Sequence, residues 1–364
     1  MKRLWKKTLA WVSKNEGHIS TVVFLTGFIT DNLVLRRVDV PWVNTVFLGY
    51  LTIAAVAILI THKVAAKRGD LFAASGNRSL ATFLPLIAQF CLGSLLSGCI
   101  IFYTRSANLY TSWPFILLLA TVFIGNEVLR KYRERLVFQT VLFFFTLYSY
   151  TIFALPIAQG SMGGLVFFES GILSTLLFLV FLFLLRVVDE KRLMPSLKRI
   201  LSVSGGILLI VNLFYFTGIL PPLPLSLKDV GVYHSVAHAT GGGYEVQTEK
   251  GSWHIFTPET IHLTFGDPVY VYSAVFAPIT ISIPIVHEWE WYDVAAGAWQ
   301  TRSKVTFPIS GGRDGGYRGY SVMTNPLPGL WRVSIETPYG AIIGRIRFEV
   351  EQVDTLPVLS TEIK

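Results

Sequence analysis

The polarity pattern divides the chain in two. Up to residue 220 the apolar residues fall in seven runs: His18–Leu35, Trp42–Thr61, Leu80–Tyr103, Thr111–Leu129, Leu136–Ile157, Leu165–Val188 and Ile200–Leu220. Each is near the ~20 residues that a helix needs to cross about 30 Å of hydrocarbon. The first is the shortest and contains Asp31 and Asn32. From about residue 222 the pattern changes to short alternating stretches broken by Gly, Pro, Asn and Asp. That pattern predicts strands, and no later run is long enough to span.

Strands are expected over Gly231–Ala237, Tyr244–Thr248, Trp253–Phe256, Thr260–Phe265, Val269–Phe276, Ile281–Tyr292, Trp299–Phe307, Tyr317–Met323, Leu330–Thr337 and Ala341–Val350. Alternation assigns faces. His287, Trp289 and Trp291 point one way, with Glu288, Glu290 and Tyr292 opposite; Trp331, Val333 and Ile335 share a face. The fold expected is an α-helical polytopic membrane bundle of about seven spans followed by an all-β, Ig-like antiparallel sandwich. The matching boundaries are a cytoplasmic amphipathic basic segment (1–17), a transmembrane domain (18–220), a Pro-rich linker (221–230), an extracytoplasmic β-domain (231–351) and a C-terminal tail (352–364).

Charge adds orientation. Of the 31 Lys and Arg, 18 lie before the first run, between runs two and three or four and five, or from Arg186 near the end of run six to the start of run seven. The opposite connections hold only Arg36, Arg37 and Arg105. The positive-inside rule then predicts a multi-pass cell (inner) membrane protein with a cytoplasmic N-terminus and an extracytoplasmic C-terminal domain. Composition agrees: 52% hydrophobic, 15% charged and a mean hydropathy of +0.53 are too apolar for a soluble globular protein. The net charge of +8 belongs to the membrane part, because residues 222–364 carry 10 basic and 14 acidic residues. It gives no support to nucleic-acid binding. The two cysteines, Cys91 and Cys99, stand two turns apart in one run, too far to bridge, and read as packing residues.

The β region resembles an uncharacterised bacterial domain-of-unknown-function family, number twenty-nine fourteen. The resemblance rests on Val275-Phe276-Ala277-Pro278, His287-x-Trp289, Gly316-Tyr317-Arg318-x-x-Ser321, Pro328-Gly329-x-Trp331-Arg332-Val333 and Gly340-x-x-Ile343-Gly344-Arg345-x-x-Phe348, and covers roughly residues 268–351. The family has no assigned activity, so the resemblance implies a module and no reaction.

Two sets of residues are candidates for function. Asp31, Asn32, Arg36, Arg37, Arg105 and Glu169 are polar groups near the outer ends of the runs, where they form either an ion-pair clasp or a substrate site. The clasp is the favoured reading. His287, Trp289, Tyr317, Arg318, Trp331 and Arg345 are domain-signature positions and a possible binding strip. Gln89, Gln139 and Asn212 read as interhelical hydrogen-bonding residues. The histidines lack metal-ligand spacing, and no catalytic triad or nucleotide loop can be placed, so neither metal nor cofactor is expected. The lipid bilayer is the certain partner. The preferred function is non-enzymatic: an extracytoplasmic β-domain that binds an envelope protein or glycan, or organises the envelope. The alternative is a membrane enzyme or transporter acting on a lipid-linked or small substrate at the outer leaflet. The sequence sets no oligomeric state.

Overall fold

The structure is a computed structural model describing the chain except residues 1–27, 30, 33–34, 36–40, 68–77, 107–108, 129–134, 223, 250–258 and 314. Its described helices are α1 (Pro41–Lys67), α2 (Arg78–Ser106), α3 (Leu109–Val128), α4 (Leu136–Gln159) and α5 (Gly164–Phe216). Among the described residues, four stretches are long and apolar enough to cross a membrane: Trp42–Ala66, Leu84–Ser106, Leu136–Gln159 and Gly164–Phe216. The protein is thus a multi-pass membrane protein with a β-rich C-terminal region. Large apolar side chains such as Leu165, Phe183 and Leu209 remain exposed along α5, as a lipid-facing surface requires.

The expectation of about seven spans followed by an Ig-like antiparallel sandwich is corrected on both counts. Among the described residues there are five helices, not seven separate spans. The predicted first run falls mostly outside the described residues, and the fourth forms the 20-residue helix α3. The sixth and seventh runs lie in one 53-residue stretch, α5, in which two helices meet at a kink with no separating loop. Asp189 interrupts it with non-helical dihedrals (φ −148°, ψ 69°). The break between the two helices is confined to Asp189, and Pro195 lies in the second of them.

The chain divides into two compact units. The first comprises residues 1–102, 114–154 and 168–213. Its core is aromatic: Phe47 packs against Phe102, Tyr150 and Phe153 with ring centroids about 6 Å apart. Gly98 makes that packing possible, since a Cβ there would strike the Phe47 ring. Polar side chains tie the helices. His62 Nε2 lies 2.9 Å from Gln139 Oε1, Gln89 Nε2 donates to the Asn126 carbonyl at 2.6 Å, and Asn212 Nδ2 donates to the Tyr148 hydroxyl at 3.2 Å. Arg192, one turn past the α5 bend, donates to the Ala65 carbonyl at 3.1 Å, which sets the bend beside the basic end of α1. Cys91 and Cys99 are both buried and free.

The second unit comprises residues 103–113, 155–167 and 214–364. Its strands are β1 (Ser226–Tyr233), β2 (Ser235–His238), β3 (Tyr244–Glu249), β4 (Glu259–Leu263), β5 (Val269–Phe276), β6 (Ser282–Asp293), β7 (Ala298–Ser310), β8 (Tyr317–Met323), β9 (Gly329–Glu336), β10 (Ile342–Gln352) and β11 (Leu359–Ile363). They form three sheets, β1-β5-β8, β4-β10-β9-β6-β7 and β11-β3-β2. β4 runs parallel to β10, a departure from the all-antiparallel pairing expected, and the strands fall into three sheets rather than the two of a sandwich. The stretches read as linker and tail contribute β1 and β11.

Three shared cores join the sheets. Trp289, Trp331, Val333 and Phe348 of the five-stranded sheet pack with Val232, Val269 and Val271 of the β1-β5-β8 sheet. Further along, Ile283, Ile285, Ile309 and Ile335 pack with Val275 and Leu225. The tyrosine-rich other face of β1-β5-β8 (Tyr233, Tyr272) packs on Val236 and Val246 of the small sheet. The result is three layers with β1-β5-β8 in the middle.

One carboxylate bridges these layers. Glu249, at the end of β3, contacts His234 Nε2 at 2.8 Å and His262 Nδ1 at 2.7 Å, and accepts the His262 backbone N–H at 2.7 Å. Burial alone would raise its pKa, but the hydrogen bonds from His262 and His234 outweigh it and hold the carboxyl below its ordinary 4.5. A carboxyl so depressed stabilises the fold above its unfolded pKa and loses that contribution as pH falls through its lower folded value. Glu249→Gln is expected to cost about 1–3 kcal/mol near neutral pH, because a neutral amide cannot accept all three bonds. An unchanged melting temperature at pH 7 would show that the bridge carries no stability.

Candidate functional site

The five-stranded sheet has a buried inner face and an unusual outer one. On the inner face His287 is wholly buried: Ser273 Oγ lies 2.8 Å from its Nε2 and Ser321 Oγ 2.8 Å from its Nδ1. Trp289 Nε1 also donates to Ser321 Oγ, at 2.9 Å. Each polar atom of this network has a partner inside an apolar core, so its role is architectural. Burial pushes the His287 ring down to about 4, leaving it neutral at physiological pH. Trp331 is likewise core, its Nε1 donating to the Leu327 carbonyl at 2.7 Å. Of the other signature residues, Tyr317 lies under Arg313 (5.3 Å from guanidinium to ring centre), and Arg318 donates to the Lys364 carbonyl at 3.0 Å. Only Arg345 reaches the outer face.

There the strand register assembles a charged lattice that no short motif announces. Glu288 of β6 stands between Lys304 of β7 and Ser334 of β9, and Ser334 pairs in turn with Arg345 of β10. Two residues along, Glu290 pairs with Arg332, which pairs with Arg347. Lys304 Nζ lies 3.0 Å from Glu288 Oε1, and Arg345 Nε donates to Ser334 Oγ at 2.9 Å. Arg332 grips Glu290 with two bonds, Nε to Oε2 at 2.5 Å and Nη2 to Oε1 at 2.7 Å, while lying 4.4 Å above the Trp299 ring. Tyr292 packs against Trp299, with 5.1 Å between ring centres. Glu336, Glu290 and Ser334 are buried although they point away from the core.

Glu336 is the anomalous member. Burial, then the charge of Glu288, pushes its carboxyl up to about 7, and it shares a hydrogen bond with Glu288. Glu288 itself is held below its ordinary value; burial opposes this, but bonds from Lys304 and Thr301 prevail. The two carboxyls therefore hold about one proton between them near neutrality. The signal for this face lay in the alternation of β6, which set Glu288 and Glu290 opposite His287 and Trp289. The missing information was register, since Arg332, Glu336 and Arg345 come from strands more than 40 residues away.

The other candidate set, at the ends of the apolar runs, is only partly described. Asp31 accepts a hydrogen bond from Ser97 Oγ at 2.7 Å. Arg36 and Arg37 lie outside the described residues. Asn32 and Glu169 are exposed and Arg105 is half-buried.

Residues 283–350 match the family described as "Protein of unknown function (DUF2914)", so the C-terminal region carries this uncharacterised domain. The match spans β6 to β10 and contains every residue of the charged lattice. No curated protein matches the chain. Among solved structures, an alkylpurine DNA glycosylase AlkC of Pseudomonas fluorescens, bound to DNA containing an abasic site analog, aligns over 83% of this chain and 97% of its own at 10% identity. Its TM-score of 0.22 is too low to carry any argument about fold or function.

Proposed function

We propose that the protein is a non-enzymatic membrane-anchored receptor, whose β-domain binds an envelope protein through the charged outer face of β7-β6-β9-β10. The observation that carries this reading is Glu336. A glutamine there would fill the same space without the repulsion from Glu288, yet the chain keeps a buried carboxyl whose ionisation is opposed. A group that costs stability fits a surface selected for binding. Trp299, Tyr292 and Arg332 add the residue types that dominate protein interfaces.

Orientation is part of the proposal. Basic residues cluster at the end of α1, before α4 and around the α5 bend, which supports a cytoplasmic position for those ends and an extracytoplasmic one for the β-domain. A periplasm-dependent reporter fused after Lys364 should be active, and one fused after Arg133 silent; the opposite pair would overturn the orientation.

Photocrosslinkers at Thr301 and Lys304 should capture in native membranes a protein that is not captured from Val358, and Arg332→Glu should abolish the capture. Equal capture from all positions, or none from the face, would sink the receptor reading. Separately, Glu336→Gln is expected to raise stability by about 1–2 kcal/mol at pH 8, and the gain should shrink as pH falls towards 4.5. The sign follows from a folded pKa above the unfolded one: wild-type stability is lost as pH rises through 7. A melting-temperature difference that does not depend on pH would contradict the assigned protonation.

A second reading, an enzyme or transporter, is favoured by one observation in the helical unit. His62 Nδ1, Gln139 Nε2 and Asp189 Oδ2 are buried and have no hydrogen-bond partner among the described residues. Buried polar groups of this kind within membrane helices are expensive and often functional. If His62→Leu leaves the protein stable but abolishes the cellular phenotype that the face variants spare, this reading replaces the first.

A further inference from the structure

The β-domain loops that touch the α4–α5 turn carry apolar side chains that the domain's own packing does not use. The α4–α5 turn is held by two of these loops. Thr280 Oγ1 donates to the Ile157 carbonyl at 3.0 Å, and a Cβ at Gly160 would come within 2.7 Å of the Thr280 carbonyl oxygen. A Cβ at Gly163 would lie 3.2 Å from the Tyr339 ring, and Met162 packs into the isoleucine core of the β-domain. Beside these contacts, Ile279 is 71% exposed and Tyr339 67% exposed. The turn joins two membrane-crossing helices, so its ends lie at the bilayer surface, and the loops that grip it lie there too. Leu165 and Phe216, at the adjoining helix ends, are 81% and 74% exposed.

Cations flank this surface. Arg313 is exposed on the β7–β8 loop, whose Gly312 N–H donates to the Ala277 carbonyl at 3.0 Å and whose Gly312 Cβ would lie 3.1 Å from Ile279. Lys228 is exposed above the Phe276 ring, 5.2 Å from its centre. Apolar and tyrosine side chains with basic neighbours at this depth are the composition of a membrane-interface surface.

We propose that the loops Pro278–Thr280, Gly311–Arg313 and Pro338–Gly340 form a lipid-binding edge, with Ile279 and Tyr339 seated at the headgroup–acyl boundary and Arg313 and Lys228 meeting anionic phospholipid headgroups. The inference is independent of the partner proposed for the outer sheet face. The edge holds the β-domain against the bilayer at a defined tilt, beyond what the single covalent exit at Phe216 could impose.

The test is site-directed spin labelling of the full chain in nanodiscs, with Cys91 and Cys99 replaced by alanine. Labels are placed at Ile279→Cys and Tyr339→Cys, with Val294→Cys as reference. Val294 is 81% exposed at the far end of β6, roughly 40 Å away at about 3.3 Å per residue. The first two labels should collide more with oxygen than with a water-soluble nickel complex, and the reference label the reverse. Phosphatidylglycerol should deepen the label at 279 relative to phosphatidylcholine, and Arg313→Gln should remove that difference. Labels at 279 and 339 as nickel-accessible as the reference would overturn the edge. Labels hidden from both reagents would overturn it in favour of a protein contact. In the unmodified chain, a photoactivatable phospholipid should mark peptides containing Ile279 or Tyr339, and marking confined to the helices would also refute it.

Discussion

Trp331→Ala is expected to unfold the β-domain near physiological temperature. The side chain is among the largest wholly buried ones, set edge-on to Trp289 with 6.3 Å between ring centres and packed in the same cluster as Phe348 and Val350. Truncation removes the indole, opens a cavity in the layer between two sheets and leaves the Leu327 carbonyl without its donor. Large-to-small changes of this kind cost about 3–5 kcal/mol, against a total of about 5–15 for a typical domain. Denaturant unfolding followed by tryptophan fluorescence should show the midpoint falling sharply. A midpoint within experimental error of wild type would mean that Trp331 is not a core residue, and the face assignment of β9 would fall with it.

Acidification should destabilise the same core through His287. Its ring is wholly buried, and burial lowers its pKa from 6.5 to about 4. Between these values the unfolded chain binds a proton that the folded chain does not, so stability falls as pH drops from 6.5 towards 4 and is fully restored above 6.5. The window of about 2.5 units corresponds to about 3 kcal/mol. His287→Gln keeps hydrogen-bonding groups beside Ser273 and Ser321 but cannot titrate, so its stability should be lower at neutral pH and flatter across the window. If the variant and wild type lose stability in parallel between pH 6.5 and 4, the acid sensitivity belongs to other groups. Glu336 works in the opposite direction over nearly the same window, its contribution being lost as pH rises from about 4.5 to about 7, so the His287 slope should stand out most clearly in the Glu336→Gln background.

The candidate face shows where reading along the chain stops. Alternation along β6 correctly separates His287 and Trp289 from Glu288 and Glu290, because a strand has a fixed period of two. It cannot say which strands lie beside β6, so Arg332, Glu336 and Lys304 stay unconnected to it. His287, Trp289 and Trp331, expected as domain-signature positions or a binding strip, are buried in the core, and the carboxyls opposite them carry no motif that marks them. The helical count failed for a related reason. Hydropathy marks which residues suit lipid, but whether the basic stretch between two apolar runs forms a loop or continues as bent helix depends on contacts such as Arg192 with the Ala65 carbonyl.

By itself the sequence determined the division at about residue 220, the membrane character of the first part and the strand character of the second, since burial in lipid and pleating each impose a local period. It also carried the family match of the C-terminal region. Only the tertiary structure decided the three-layer stacking, the parallel pairing of β4 with β10 and the convergence of Glu288, Glu290, Glu336 and Arg332 on one face. Those features arise from register and layer order, which depend on residues distant in the chain meeting in space.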